Sequence, residues 1–424
     1  MEGRRKAFLP LLVVTFISAL GFSIVLPILV YIVRDFKGDS IVYGLLGATY
    51  PFFQLIGSPV LGNLSDRIGR RKVLIISQLG TLLSWGVFLL AFYVPMVVWL
   101  QVDTGRFAGI VLTSSIVVAF LGRALDGLTG GNVSVAQAYL ADISDEKTRK
   151  KDYAKMGMAS GIGFVVGPGI AGLLAELPPG NQTPVIAAIL ISVVGLGMLV
   201  FYLPKKENLE LGEQPPKENE QAAKAKKYGP RALLRIPKIR FIVVLYFILF
   251  LSFNIFYTAF PLHADSTLHW DASRLGVFFV VLSGLMALVQ GPLMGWLSSR
   301  TEDEPLIWIG TLFLMGSFVC LVFPVGWLSW LAAALFALGN GLMWPSFLSV
   351  LSRVAPKGYQ GTVQGLGASA GGAASVVGLT AGGFLFQEFQ SLAFLFPPAI
   401  LSLFWILSFR LQGMRQCKAP EQYA

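Results

Sequence analysis

Long apolar runs alternate with short polar segments along most of the chain. Runs of about 18 to 25 residues, the length that a helix needs to cross the roughly 30 Å hydrocarbon core of a bilayer, recur through its 424 residues. They begin near Ala7, Ile41, Val73, Gly109, Tyr153, Pro184, Phe241, Arg274, Leu306, Leu328, Gly361 and Ser391. The pattern predicts an all-α polytopic membrane protein with twelve transmembrane helices, numbered below as spans 1 to 12. The first run is too long for a signal-peptide core, so we interpret it as a retained helix.

The composition agrees with a chain that lies mostly in a bilayer. Hydrophobic residues make up 55% of it, charged residues 13%, and the mean hydropathy is +0.69. The formal charge of +10 follows the predicted topology. Segments on one side hold most of the Lys and Arg, whereas those on the other side hold only Arg34, Lys37, Arg106 and Arg274. The positive-inside rule therefore predicts cytoplasmic termini, and the plasma (inner) membrane is the expected location. No basic stripe is interleaved with stacking aromatics, so nucleic acid is not an expected partner.

A polar segment divides the spans into two groups of six. Residues 205–240 are rich in Lys, Glu, Gln, Asn and Pro, and such a sequence buries too little apolar area to offset its chain entropy. We expect a mobile cytoplasmic linker there, with an amphipathic stretch at Tyr228–Arg240 on the membrane surface. The predicted domains are a six-helix bundle at 1–204, this linker at 205–240, and a second bundle at 241–424 with a short cytoplasmic tail.

The two bundles contain related motifs in the same order. Offsets of 234, 233 and 211 residues align spans 1 and 7, spans 2 and 8, and spans 5 and 11. The 233-residue offset places Gly62 on Gly295, and the 211-residue offset places Gly167 on Gly378. Repeated halves imply a substrate site at their interface, near the midplane, that is reached from each side in turn as one half rocks against the other.

The connection between spans 2 and 3 is a dense cationic loop, residues 62–72, between two apolar runs. It resembles the loop signature between the second and third helices of the major facilitator superfamily. The resemblance implies a gating role for Gly62, Asp66, Arg67, Gly69, Arg70 and Arg71. In that role Asp66 latches the halves near the start of span 11, and the arginines anchor the loop.

Span 5 carries glycines mostly three or four residues apart, which lets another helix approach closely. Pro168 removes a backbone donor and permits a bend. A tight packing face is sufficient to explain the pattern. The arrangement also resembles the Gly-Pro motif of drug:proton antiporters in the same superfamily, which implies control of bending and leak at the interface between halves. The gating candidates in this span are Gly157, Gly161, Gly167, Pro168 and Gly172.

Span 4 contains an intramembrane charge pair, Arg123 and Asp126. An unpaired charge at the bilayer centre costs about 3 kcal/mol on insertion scales, so such groups tend to be paired and functional. The i,i+3 spacing puts both on one helix face. Two interpretations remain open. The pair can be static and fix span 4, or Asp126 can exchange a proton while Arg123 adjusts its proton affinity and meets the substrate.

Residues 123–145 resemble the span 4 and loop 4/5 region of tetracycline-type antiporters. The resemblance covers most of the first half specifically, whereas the second half matches only in general architecture. It implies that Arg123 serves proton coupling. The chain departs from that family by lacking an acid early in span 1 (Ile17–Gly21), in span 3 at Ser84–Trp85, and in span 9 (Leu306–Pro324). Tetracycline is therefore a doubtful substrate, and coupling would depend heavily on Asp126.

The resemblance further implies a cavity lined by spans 1, 4, 7 and 10. Its polar and aromatic candidates are Ser18, Ser23, Asn132, Asn254, Phe256, Tyr257, Asn340 and Trp344. Buried amides need partners, which a water-filled cavity supplies, whereas each aromatic is also explained by lipid contact or core packing. Few fixed charges beside several aromatics favour a hydrophobic or weakly cationic substrate.

The leading functional prediction is a secondary active transporter: proton-coupled export of amphipathic small molecules by alternating access. The alternative is a facilitator or symporter for a neutral metabolite such as a sugar, in which Arg123 and Asp126 are structural. The expected partners are the substrate, protons and the lipid bilayer, and the expected state is a monomer. We expect neither an enzyme nor a cofactor, because the sequence shows no nucleophile–base pair or nucleotide loop. His263 and His269 lack a third metal ligand, and Cys320 and Cys417 share no environment for a disulfide.

Overall fold

A computed structural model describes residues 2–25, 27–102, 109–130, 132–143, 149–204, 230–356, 359–414 and 416–417. In the first half the helices are α1 Glu2–Val25, α2 Leu29–Asp35, α3 Ser40–Ile68, α4 Arg70–Leu90, α5 Ser114–Thr129, α6 Asn132–Ile143, α7 Arg149–Ala175 and α8 Gln182–Gly197. A π-helical turn, Met198–Tyr202, continues α8, and an antiparallel hairpin of β1 Val98–Val102 and β2 Ile110–Thr113 lies between α4 and α5. Most of the predicted linker, residues 205–229, lies outside the described residues.

The second half is also helical where it is described. Its helices are α9 Pro230–Leu234, α10 Pro237–Ser266, α11 Ala272–Leu288, α12 Met294–Leu297, α13 Asp303–Val322, α14 Gly326–Val354, α15 Gln360–Phe389 and α16 Phe396–Ser408. A π-helical turn at Val289–Leu293 joins α11 to α12, and 3₁₀ turns at Gln390–Leu395 and Phe409–Leu411 flank α16.

Ten described helical segments are long and apolar enough to cross a membrane. The final segment, Gln360–Leu411, has 52 residues, or roughly 78 Å at 1.5 Å per residue, which is enough for two passes around the turn at Gln390. The α5–α6 pair supplies another pass, in which the first helix ends at a turn at Gly130. These helices account for the twelve passes expected from the sequence, and the predicted fold class is confirmed.

Local sequence fixes where α3 begins and ends. The Asp39 carboxylate caps its first turn by accepting a hydrogen bond from Val42 N at 2.9 Å. Gly69 ends the helix with φ +96°, a conformation that a side chain would oppose, and α4 begins at the next residue. A single residue therefore joins α3 to α4, and the rest of the predicted cationic loop, residues 62–68 and 70–72, is helical rather than a loop.

Glycines allow α5 to pack closely against its neighbours. A Cβ added at Gly57 of α3 would lie 2.2 Å from Leu128 O, and one added at Gly80 of α4 would lie 2.2 Å from the Thr129 side chain. Gly127 of α5 lies equally close to α3, where an added Cβ would be 2.5 Å from Tyr50 O. Helix α5 is thus held between α3 and α4, which fixes the position of its charged residues.

The chain divides into two compact units. Unit 1 comprises Met1–Gly212 together with Ala264–Val280, and unit 2 comprises Glu213–His263 together with Val281–Ala424. Unit 1 therefore includes the end of α10 and the start of α11, which follow the linker in sequence. Below, the inner end of unit 1 is the end that carries Arg70, and the outer end is the opposite one. The two hydrophobic cores differ in character, since unit 2 buries a cluster of phenylalanines that includes Phe256, Phe318 and Phe336.

Candidate functional site

The intramembrane charge pair lies in the interior of unit 1. Arg123 is 4% exposed and Asp126 is 8% exposed, and Arg123 Nη1 is 3.7 Å from Asp126 Oδ2. At this distance the two side chains form an ion pair but no direct hydrogen bond. Arg123 Nε and Nη1 have no hydrogen-bond partner among the described residues. The guanidinium group is therefore neutralised only in part by its neighbour and keeps N–H donors for a further partner.

Two neighbouring helices, α3 and α4, complete the surroundings of this pair. The Tyr50 ring of α3 lies under the guanidinium group, with its centroid 5.0 Å from Arg123 Cζ. From α4, the hydroxyl groups of Thr81 and Ser84 lie beside the Asp126 carboxyl group, and Ser84 Oγ donates to Thr81 O at 2.7 Å. Gln54 Nε2 donates to Tyr50 OH at 3.0 Å and to Gly130 O at 3.1 Å, which holds the tyrosine in place. A carboxyl group with hydroxyl neighbours and a nearby cation can hold or release a proton in a protected position.

The cationic loop forms a separate cluster at the inner end of unit 1. Arg70 Nη1 is 2.6 Å from Asp66 Oδ1, and its Nε is 3.6 Å from Asp142 Oδ2 at the end of α6. Arg70 also donates to Ser65 Oγ. One arginine thus joins the α3 end, the α4 start and the α6 end.

Arg71 anchors the same loop to the end of α8. Its Nε donates to Leu203 O and its Nη2 to Val200 O, both at 2.6 Å. These carbonyls close the π-helical turn, where the usual helical partners are missing. Arg67 is exposed, and a Cβ added at Gly62 would meet open space. The predicted latch from Asp66 to the start of span 11 stays a prediction.

The predicted gating glycines of α7 divide into three groups. Gly157 and Gly161 face open space. Gly167 lies against α1, where an added Cβ would be 1.9 Å from Ser23 Oγ. Gly172 and the carbonyl of Pro168 lie against the start of α11, and a Cβ added at Gly276 would be 2.6 Å from Pro168 O. Helix α7 therefore uses its bare surface on two different neighbours.

A polar cluster closes over the outer end of unit 1. Arg34 forms an ion pair with Asp265, Tyr31 OH donates to Trp270 O at 2.8 Å, and Asn181 Nδ2 donates to Asp35 Oδ2 at 2.6 Å. These contacts join α2 to the end of α10, to the connection before α11 and to the start of α8. They border a cavity of about 400 Å³ that is lined by Tyr31, Arg34, Glu176, Asn181, Asp265 and Asp271, among others.

The predicted cavity residues of spans 1 and 4 occupy different environments. Ser23 is fully buried and donates to Gly163 O at 3.0 Å, so it binds α1 to α7. Ser18 is half-buried and donates to Val14 O in its own helix. The side chain of Asn132 lies outside the described residues, although its backbone begins α6.

The predicted cavity residues of unit 2 are partly accessible, with Phe256 and Asn340 as exceptions. Trp344 is half-buried and packs edge to face against Tyr246 and Phe250, with centroids 5.3 and 5.4 Å apart. Asn340 is buried and accepts from Gln290 Nε2 at 3.4 Å.

The remaining predicted cavity residues lie on α10. Asn254, half-buried, donates to Phe250 O at 2.7 Å, and Tyr257 is half-buried beside Phe256. Phe256 itself is 2% exposed and stacks on Phe336 at 4.8 Å. It therefore contributes to the core rather than to an accessible surface.

Sequence reasoning missed a charged cluster at the end of α14 in unit 2. Arg353 contacts Glu304 Oε1 at 2.5 Å and Asp303 Oδ2 at 3.8 Å, and Ser349 Oγ donates to Asp303 at 2.7 Å. Adding 233 to Arg70 gives Asp303, and adding 211 to Asp142 gives Arg353. The ion pair of unit 1 thus recurs in unit 2 with its charges exchanged. Applying the two offsets to charged positions, rather than to identical residues, would have found it.

Known proteins resemble this chain over most of its length. A family model described as Major Facilitator Superfamily matches residues 11–379. The tetracycline resistance protein, class E, of Escherichia coli is 29% identical over 383 residues, which cover 89% of this chain and 87% of that protein. Multidrug resistance protein 2 of Bacillus subtilis (strain 168) is 25% identical over 402 residues, covering 94% and 93%. The solved D-xylose-proton symporter has a TM-score of 0.72 at 16% identity, covering 99% of this chain and 98% of that one, a likeness that shows the fold.

Proposed function

The chain belongs to the Major Facilitator Superfamily, and we propose that it is a proton-coupled exporter of amphipathic small molecules. The observation that carries this proposal is the buried Arg123–Asp126 pair, together with the two Arg123 nitrogen atoms that lack a hydrogen-bond partner among the described residues. Relatives named for tetracycline resistance and multidrug resistance support drug export as the direction of transport.

In the proposed cycle, Asp126 carries the proton. When its carboxylate is charged, it neutralises Arg123 across 3.7 Å in a site where an unpaired charge is costly. When it takes up a proton, Arg123 loses that counter-ion and the pair gains a net positive charge, which disfavours a cationic substrate nearby. Proton binding and binding of a cationic substrate therefore exclude one another, which is the requirement for antiport.

The proposed substrate is apolar with at most a weak positive charge. Phe250 and Trp344 of unit 2 are half-buried and pack on the buried Tyr246 ring, so they offer an aromatic surface on which flat apolar groups can stack. The described spans of unit 2 carry no Asp, Glu, Lys or Arg away from their ends, so a sugar phosphate or dicarboxylate would find no counter-ion there. The absence of acids at Ile17–Gly21 and Ser84 disfavours tetracycline itself.

Alternating access assigns roles to the two polar clusters of unit 1. The outer cluster of Arg34–Asp265 and Tyr31–Trp270 must open for release, and the Arg70 cluster must rearrange as the inner end opens. In this cycle Pro168 permits α7 to bend where the start of α11 approaches its backbone. We place both termini in the cytoplasm and the protein in a plasma membrane, in line with the distribution of Lys and Arg.

The proposal is tested with purified protein in liposomes that have an acidic lumen. We expect uptake of a fluorescent cationic dye that stops when nigericin collapses the pH gradient and continues when valinomycin removes the membrane potential. A neutral sugar such as xylose is offered to the same liposomes. Sugar uptake with no dye movement, or dye movement that ignores the pH gradient, would contradict proton-coupled export and leave a facilitator or symporter.

A further inference from the structure

The hairpin between α4 and α5 exposes an unusual amount of apolar surface. Every residue of β1, Val98–Val102, is exposed, and the exposed fractions of Tyr93 and Trp99 are 66% and 67%. Residues 91–102 include no charged side chain. On a surface that faces water, such a strand would be an aggregation site, because its free edge invites pairing.

The position of the hairpin follows from the helices that flank it. Helix α4 begins at Arg70 and runs for 21 residues, about 30 Å, which matches the hydrocarbon thickness. Leu90 therefore lies at the outer surface of the bilayer, and the hairpin follows within a few residues. Along α4, Leu79, Leu83 and Leu90 are exposed on one face, so the lipid-facing stripe of this helix leads directly into the apolar hairpin.

Hydrogen bonds hold the hairpin at this level. Val111 N donates to Asp39 Oδ2 at 3.0 Å, and Thr113 Oγ1 donates to Phe36 O at 3.0 Å. Ser114 accepts from Val97 N at 3.0 Å through its hydroxyl. The hairpin is thus tied to the outer ends of α3 and α5 and cannot move into the solvent without breaking these bonds.

The chemistry of the hairpin fits the interfacial layer of a membrane. Register pairs Leu100 with Leu112 and Val102 with Ile110, which places a group of aliphatic side chains on one face. Trp99 lies at an irregularity in the register between Val98 and Leu100, and tryptophan and tyrosine favour the headgroup level. The backbone groups on the unpaired edge of β1 would lack hydrogen-bond partners in hydrocarbon, so the strand cannot lie in the bilayer core. The hydrated interface supplies those partners.

We propose that Tyr93–Val102 is a lipid-docking surface that rests in the interfacial layer of the bilayer beside α4. Its occupant is the membrane itself, since the lipid-facing stripe of α4 is continuous with it. The hairpin leads into α5, so docking fixes the helix that carries Arg123 and Asp126 at a set depth. A second copy of the chain, paired through the free edge of β1, is the competing occupant.

The test uses single cysteines in full-length protein from which Cys320 and Cys417 have been replaced by serine. Leu100→Cys and Trp99→Cys, at adjacent exposed positions of β1, are each labelled with an environment-sensitive NBD fluorophore in lipid nanodiscs. Ser266→Cys, an exposed polar site at the outer end of unit 1, is the matched control. Both hairpin cysteines replace exposed residues, so we expect each variant to fold normally. A melting curve of each labelled variant checks this.

We expect blue-shifted emission at both hairpin positions, stronger quenching by headgroup-level nitroxide lipids than by nitroxides at the chain ends, and loss of quenching by aqueous cobalt relative to Ser266→Cys. Aqueous quenching equal to that of the control would overturn the proposal. A second result would also overturn it: energy transfer between labelled copies in liposomes that increases with protein density, while the nitroxide lipids cause no quenching. That result would assign the surface to a dimer.

Discussion

At the residue scale, the roles of the α7 glycines depend on what each one faces. Gly167 lies against Ser23, which is itself bonded to Gly163 O, whereas Gly161 faces open space. The sequence presents both as members of one repeated pattern. Spacing alone could not distinguish them, because it does not show which part of a helix surface meets a neighbour.

Gly167→Ala tests this difference against Gly161→Ala. We expect Gly167→Ala to lower the free energy of unfolding by about 1–3 kcal/mol, the range for overpacking, because the new methyl group must displace Ser23 Oγ from 1.9 Å. Thermal unfolding in detergent measures the effect. Ser23→Ala combined with Gly167→Ala should recover part of the loss. Equal melting temperatures for the two single variants would contradict the assigned packing.

The exchanged ion pair of unit 2 gives a second prediction at this scale. Glu304 is buried and Arg353 is its cation, so Arg353→Gln leaves a buried carboxylate without a counter-ion. We expect a loss of about 1–3 kcal/mol, reduced from the fully buried case because Arg353 is 43% exposed. Adding Glu304→Gln should restore stability.

The control for this ion pair is Arg410→Gln, an exposed arginine in the same unit. Its melting temperature should equal that of the unaltered protein. The prediction is contradicted if Arg353→Gln and the double variant Arg353→Gln, Glu304→Gln have the same melting temperature, well below that of the unaltered protein. In that case Arg353 does not stabilise the protein by neutralising Glu304.

At the element scale, the helices could be predicted from the apolar runs, because a helix that crosses a bilayer needs a minimum apolar length. The turn at Gly130 within span 4 and the hairpin before α5 were not predicted. The change of offset from 233 to 211 residues indicates only that the first half has a longer connection, around Val94 to Gly109. Strand pairing there depends on Asp39 and Phe36, which are distant in sequence.

Part of the candidate site could also be predicted from the pattern of apolar and charged residues. Arg123 and Asp126 are conspicuous as charges in an apolar run, and their pairing follows from helical spacing. The burial of Phe256 and Ser23 depends on which helix packs on each face, and span-level periodicity does not fix that. The sequence pattern did not mark the cluster of Asp303, Glu304 and Arg353. Loop 8/9 contains a single basic residue, Arg300, so it lacks the cationic signature of residues 62–72.

The segment after α16 folds back onto the end of α14 and buries Cys417. Cys417 N donates to Val354 O at 2.9 Å, and Gln416 Nε2 donates to Ala355 O at 3.1 Å. Burial raises the pKa of the Cys417 thiol, against a smaller opposite effect of Lys238. Since the thiolate is the reactive form, both burial and the raised pKa slow alkylation at neutral pH.

We expect maleimide to modify Cys417 much more slowly in folded protein than after denaturation in detergent, and more slowly than a cysteine placed at exposed Ser299. The raised pKa also predicts that the alkylation rate keeps rising with pH beyond the usual range for a free thiol. Mass spectrometry of timed reactions, with Cys320→Ser as the background, measures both. Modification of Cys417 as fast as Ser299→Cys would show that the segment does not pack on α14.

At the scale of the whole molecule, the two units make different chemical contributions. Unit 1 holds the buried Arg123–Asp126 pair within its helices, whereas the charged residues in the described spans of unit 2 lie near helix ends and its interior is aromatic. The proposed transporter therefore couples protons in unit 1 and offers apolar contact in unit 2. Among the described carboxylates of unit 1, Asp126 alone lies within a span and away from the ends of that span.

The most direct test of this account is the proton flux that accompanies dye uptake into liposomes containing the unaltered protein, Asp126→Asn, or Glu302→Gln as an exposed carboxylate control. Lumenal pH is recorded while dye is added outside an acidic lumen. We predict dye-dependent proton efflux for the unaltered protein and the control, and none for Asp126→Asn despite unchanged folding. Equal proton efflux in Asp126→Asn would contradict the central role of Asp126 and leave its pair with Arg123 as a structural feature of α5.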